Sequence, residues 1–291
     1  MSHSGMVIPE RSRDIGDFLV GRLLPFRRKR MIGPFIFIDH MGPTRLGPEN
    51  YMDIGQHPHI GLSTLTYLFE GEVEHRDGLG TRQRIRPGSV NWMTAGRGIT
   101  HTERTPEDLR RGNSFILHGY QIWVALPKAK ESMAPEFFHA DASELPKWQQ
   151  ADCAYTLVAG SAFGHTSPVP VHSELFLLEV KAGKPATLEF GGELKGEIGI
   201  ILVDGVLGAC KQEIEKGSIL YSKPGDPCRL SVEAGTHLLV FGGVPFPEER
   251  WIDWNFVASS RETIQEVKEA WKAGEFPMME DEESYVPLPG N

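Results

Sequence analysis

Cysteine is scarce in this chain: three occur in 291 residues, Cys153, Cys210 and Cys228, and none forms a CxxC pair. An odd, widely spaced set excludes a disulfide scaffold and predicts reduced, buried thiols in a cytoplasmic protein. No apolar run approaches the roughly 18 residues a membrane-crossing helix needs, and the mean hydropathy is -0.27. The opening stretch MSHSGMVIPERSRDIGDF lacks the apolar core of a secretory leader. Positive charge is also short: 30 Lys and Arg face 39 Asp and Glu, a net charge of -9. That balance argues against binding nucleic acid by phosphate neutralisation. The chain has no Walker loop and no GxSxG, and Gly96-Arg97-Gly98 lacks the third glycine and the helix of a dinucleotide fingerprint.

What the chain has in quantity is turn residues, 32 Gly and 21 Pro, without low complexity. They separate short runs of β character: 34–38, 64–69, 72–76, 83–86, 89–93 and 115–126, then 174–180, 186–190, 198–203, 218–222 and 237–241. Strands every eight to twelve residues predict an all-β sandwich or barrel. The polar, Pro-spaced stretch 127–150 reads as a connector between two halves. The turns Arg86-Pro87-Gly88-Ser89-Val90 and Glu215-Lys216-Gly217-Ser218-Ile219 are alike, a sign of internal duplication. One helix is expected after Ser259, where Ser259 and Glu262 have capping-box spacing and Ile264, Val267 and Trp271 share a face. A shorter helix is expected from Thr105-Pro106 to Gly112. Arg27-Arg28-Lys29-Arg30 reads as a solvated turn before a strand, and Glu280 to Glu283 as a solvated acidic tail.

Two short motifs carry the chemistry. His57-Pro58-His59 is followed 42 residues later by His101-Thr102-Glu103. On a strand, residues i and i+2 point to one face, so each pair presents two donors to one side of a sheet. A single HxH is often no more than two packed histidines. Two such pairs in one β region can converge as three imidazoles and one carboxylate, a donor set that suits Fe(II), Mn, Ni, Cu or Zn. Four ligands leave coordination positions open for water, dioxygen or a substrate oxygen. Gly96 and Gly98, just before the second pair, permit tight turning close to such a centre. Among the other histidines, His40 reads as a turn residue or a supporting contact, and His75 and His118 as structural. Gln121, Phe35 and Phe37 are candidates for a substrate pocket, as is Trp92; the aromatic three read mainly as core.

The segments GPFIFIDHMGP (33–43), HPHIGLSTLTYLFEGEVEHRDGLG (57–80), PGSVNWMTAGRGITHTE (87–103) and HGYQIWVALP (118–127) resemble the pirin family of the cupin superfamily. The likeness is strong over residues 10–130 and weaker in the second half, where WNFVASSRETIQEVKEAW (254–271) resembles the tail of bacterial-type members. The resemblance implies two tandem cupin barrels, with a metal-binding domain over 1–135 and a metal-free cupin-like domain over 136–291 ending in a helix and acidic tail. It implies one metal, usually iron, held by His57, His59, His101 and Glu103. The acid that broader cupins carry four or five residues after the second histidine is replaced by Ser63 and Thr64. No HxH follows residue 103, so no second metal is expected.

Pirin-like proteins carry two kinds of role. One is quercetin 2,3-dioxygenase activity, the oxygen-dependent opening of a flavonol ring with release of carbon monoxide, for which Glu103 is the candidate base. The other is a non-enzymatic, iron-dependent redox sensor that binds a regulatory protein partner. Cupins also host hydrolases and isomerases, but no residue here favours them. The expected partners are therefore a small aromatic substrate or a protein, with no nucleic acid and no membrane, on a monomeric chain.

Overall fold

A computed structural model of the chain describes residues 5–16, 18–190, 192–209, 212–223 and 230–290. Cys210 and Cys228 lie outside the described residues; Cys153 is buried and free. The architecture is mostly β, 52% strand and 7% helix, in two cupin halves. No helix among the described residues is long and apolar enough to cross a membrane.

The chain divides into two compact units. One comprises Met1–Ser12, Gly21–Ile38 and Ser143–Phe246. Its main sheet runs, in spatial order, Met6–Ile8, Ile219–Ser222, Glu197–Asp204, His237–Gly243, Leu175–Ala182, Cys153–Ala162 and Lys147–Gln150. A second sheet holds Ala186–Leu188, Leu230–Val232, Leu207–Ala209 and Gln212–Ile214. Leucine, isoleucine and valine from both sheets meet in one core, including Leu157, Leu178, Ile200, Leu220, Leu230 and Val240. This is how β-branched and aliphatic strands without a helix bury their faces.

The other unit comprises Arg13–Val20, Asp39–Ala142 and Pro247–Asn291. One sheet places, in order, Glu136–Ala140, Val90–Thr94, Leu62–Glu70, Phe115–Ala125 and residues 39–46 of the strand Phe35–Leu46. A four-stranded sheet has the order Asp53–His59, Ile99–Arg104, Val73–Asp77, Arg82–Ile85. The turn at Asp77-Gly78 closes the hairpin Val73–Asp77 with Arg82–Ile85, as its residues predict. The turns at Gly88 and Gly217 are alike, with φ of 76° and 79° and matching bonds from Ser89 N–H to Arg86 O and from Ser218 N–H to Glu215 O.

Several local expectations differ from the structure. The stretch 127–150 is not a bare connector: Glu136–Ala140 pairs with Val90–Thr94, and Lys147–Gln150 pairs with Cys153–Ala162. Short polar strands of this kind are held by their neighbours and leave little periodic signal. The short helix is only Glu107–Arg110. The long helix is Arg261–Lys272, but its cap is Ser260, whose hydroxyl accepts from Thr263 N–H at 3.2 Å. Ser259 instead donates to Glu131 Oε2 at 2.8 Å. Ile264 and Trp271 bury that helix against Ile60, Phe256 and Phe276.

The acidic segment is not a free tail. Arg104 donates to Glu282 through both terminal nitrogens, at 2.7 and 3.0 Å, and Arg76 pairs with Asp281. Gln56, fully buried, receives Met279 N–H on its side-chain oxygen at 2.6 Å and Val286 N–H on its backbone carbonyl at 3.0 Å. The C-terminal segment thus pins the strand Asp53–His59, which carries the first motif.

Candidate metal centre

The strand Asp53–His59 is the edge of the four-stranded sheet. An edge tolerates Pro58, which has no N–H to give to a ladder. It pairs antiparallel with Ile99–Arg104, placing His101 directly opposite His57 and Ile99 opposite His59. The i, i+2 spacing puts both histidines of the first motif on one face, and the cross-strand register puts His101 on it too. Between His101 and Glu103 the register shifts by a bulge, so Glu103 faces Ile54. The extra residue lies on the His57 strand, and the Gly55 carbonyl at this bulge accepts His57 Nδ1–H at 2.8 Å.

Three imidazoles converge as a result. Ligand nitrogens of His57, His59 and His101 all lie within 4.8 Å of one another, and all three residues are buried. Ring centroids are 4.3 Å apart for His57 and His101 and 5.0 Å for His59 and His101. His59 Nδ1–H donates to the Asn255 carbonyl at 3.0 Å. With Nδ1 of His57 and His59 held by carbonyls, the Nε2 atoms are the acceptors left to face the cluster. His101 Nε2 is buried and has no hydrogen-bond partner. An orphaned buried nitrogen among two others with free lone pairs is what a metal would satisfy.

Electrostatics agree with that fit. Burial, opposed by the Gly55 hydrogen bond and aided by the neighbouring His75 imidazole, lowers His57 to about 4. His59 and His101 lie well below 6.5, through burial first and then the neighbouring histidines. All three are neutral at pH 7, the form that binds a metal.

Glu103 lies outside the 4.8 Å histidine cluster but is buried on the same strand as His101. Its Oε1 is 3.3 Å from the Thr66 hydroxyl, and it is hydrogen-bonded by Gln121. Thr66 Oγ1–H donates to Gln121 Oε1 at 2.8 Å. Burial raises the Glu103 carboxyl above 4.5, against the electrostatic effect of neighbouring His75 and the hydrogen bonds of Thr66 and Gln121. Gln121 and Glu103 are therefore brought together, with Thr66 as a third member that the sequence reading passed over. Trp123 closes on His59 edge to face at 4.9 Å.

The aromatic pocket candidates sit elsewhere. Phe35 packs edge-on against Phe241 at 5.1 Å, and Arg22 lies over the Phe37 ring, all within the other unit. Trp92 is core, its indole N–H donating to Thr94 Oγ1 at 3.1 Å. His40 and His118 form their own pair, Nε2 to Nε2 at 3.0 Å, with His40 stacked on Tyr120. Asn255 was invisible to sequence reading because it acts through its backbone. His75 was not: His75-Arg76-Asp77 has the same i, i+2 spacing that marked the candidate ligands.

Residues 18–124 match the family model "Pirin", and residues 177–277 match "Pirin C-terminal cupin domain". A pirin-like protein of Caulobacter vibrioides is 41% identical over 98% of this chain and 99% of its own length. The chain belongs to the pirin family. A Pseudomonas aeruginosa pirin relative, provisionally named a quercetin 2,3-dioxygenase, is 38% identical over 89% of this chain and 81% of its own. The crystal structure of a quercetin 2,3-dioxygenase from Acinetobacter baumannii superposes with a TM-score of 0.90 at 35% identity, covering 98% of this chain and 95% of that one.

Proposed function

We propose that this pirin is a metal-dependent oxygenase of the quercetin 2,3-dioxygenase type, acting on a flavonol-like substrate. The observation that carries the reading is the convergence of three buried, neutral imidazoles with one orphaned nitrogen. His57, His59 and His101 hold the metal, with Glu103 as fourth donor or as base beside it. Imidazole with carboxylate suits Fe(II), Mn, Ni, Cu or Zn, and the likeness to pirins favours Fe(II) among them. When bound, the metal supplies a Lewis acid for the flavonol 3-hydroxyl and a centre able to engage dioxygen.

The chain's own residues do the rest. Glu103 takes the hydroxyl proton on a carboxylate oxygen. Its raised pKa makes it a stronger base than an exposed glutamate. Gln121 and Thr66 orient that carboxylate through the hydrogen bonds above. Trp123 and the buried strand faces keep bulk water from the imidazoles. Overall, a flavonol takes up dioxygen, its central ring opens to an ester, and carbon monoxide leaves.

The test is anaerobic loading with Fe(II), addition of quercetin, then oxygen, with flavonol absorbance and carbon monoxide followed together. Equal amounts of quercetin lost and carbon monoxide formed support the proposal. Stoichiometric iron without turnover contradicts it and moves weight to an iron-dependent regulatory protein.

A further inference from the structure

Behind the histidine cluster lies a chain of side chains that ligation alone does not require. His75 and Asp77 stand on one face of the strand Val73–Asp77, which pairs with Ile99–Arg104 so that His101 is opposite Asp77. Asp77 Oδ1 accepts Leu79 N–H at 2.9 Å and Thr81 N–H at 3.1 Å. Its Oδ2 lies 3.1 Å from His75 Nε2. His75 Nδ1 lies in turn 3.3 Å from His101 Nδ1. Phe137 stacks on the His75 ring at 4.7 Å, and both His75 and Asp77 are buried.

With one proton on each imidazole, counting protons fixes the direction of this chain. A carboxylate only accepts, so the single ring proton of His75 sits on Nε2 and its Nδ1 is bare. His101 Nδ1 must then be the donor between the two rings. That leaves His101 Nε2 bare, and it is the buried nitrogen with no partner. The reverse order would set a bare His75 Nε2 against the carboxylate and a proton on His101 Nε2.

We propose that Asp77 and His75 are positioning residues that lock His101 in the tautomer whose Nε2 can accept a metal. The inference rests on the metal centre proposed above, but the tautomer is a property of the metal-free protein and is read without turnover. Asp77→Asn is the informative variant. The Leu79 and Thr81 amides hold the side-chain oxygen in place, so the new amide nitrogen faces His75 Nε2 as a donor. The chain then reverses and puts hydrogen on His101 Nε2.

Long-range proton–nitrogen NMR of histidine-labelled, metal-free protein at neutral pH separates bare from protonated ring nitrogens. The wild type is expected to show His101 with hydrogen on Nδ1, and Asp77→Asn to show it on Nε2. Zinc affinity, titrated against a chromophoric chelator, is expected to fall about 10- to 100-fold in the variant. A wild-type His101 protonated on Nε2 overturns the proposal, and this result is available even where the variant does not fold. A variant with the wild-type tautomer, or with a swapped tautomer and unchanged zinc affinity, overturns it as well. Wild type that binds no zinc overturns both the metal centre and this proposal, whereas metal binding without quercetin turnover bears only on the reaction.

Discussion

Mild acid should destabilise the metal-free protein, and His57 sets the scale. Its imidazole lies at about 4 in the folded chain against 6.5 in the open one. Between those values the unfolded state binds the proton and the folded state does not, so stability is complete above 6.5 and falls as the pH drops towards 4. Between pH 7 and pH 5 this one residue accounts for roughly 2 kcal/mol. His59 and His101 are also lowered well below 6.5 and act in the same direction. Glu103 acts oppositely: its carboxyl is raised, so protonation in the folded state relieves part of the loss. Glu179 and Glu282, both held at about 2, lose their contribution only below 4.5, outside this window. The assay is urea unfolding of chelator-treated protein at pH 7 and pH 5, for wild type and for His57→Gln. The wild type should lose about 2 kcal/mol more than the variant over that interval. Equal losses in the two proteins would refute the buried, neutral state of His57.

Other outcomes follow from the same contacts. Gly61 has a φ of 66°, and a Cβ there would meet the Val257 carbonyl at 1.9 Å, so Gly61→Ala should cost more than about 3 kcal/mol in urea unfolding. Glu282→Ala removes a two-pronged bond to Arg104 and should lower stability by about 2 kcal/mol, seen as an earlier urea midpoint. Gln121→Leu deletes a hydrogen bond that lowers the Glu103 pKa, so the acid limb of quercetin turnover should move to higher pH, with a lower maximal rate.

The strand pattern and the spacing of the converging histidines were legible because both follow from a period of two. His57, His59 and His101 needed only that period and one antiparallel register to meet. The same rule applied to His75-Arg76-Asp77 would have reached the residues behind His101, but without a second histidine the motif carried no metal signal. Groups that act through the backbone, the carbonyls of Gly55 and Asn255, leave no mark on residue type. The acidic segment misled for a different reason. A run of carboxylates reads as solvated unless its cationic partner is known, and Arg104 lies 178 residues away from Glu282. Phe35 and Phe37 lie within the GPFIFIDH run that carries the family likeness, yet their rings pack in the other unit from the histidine cluster.

The central claim is that three imidazoles on two paired strands hold one metal ion. Metal content after loading with Fe(II) and gel filtration, measured on wild type and on folded His101→Ala, tests it most directly. The expected result is one iron per wild-type chain and close to none in the variant. Wild type without iron, or a variant that retains it, would contradict the claim.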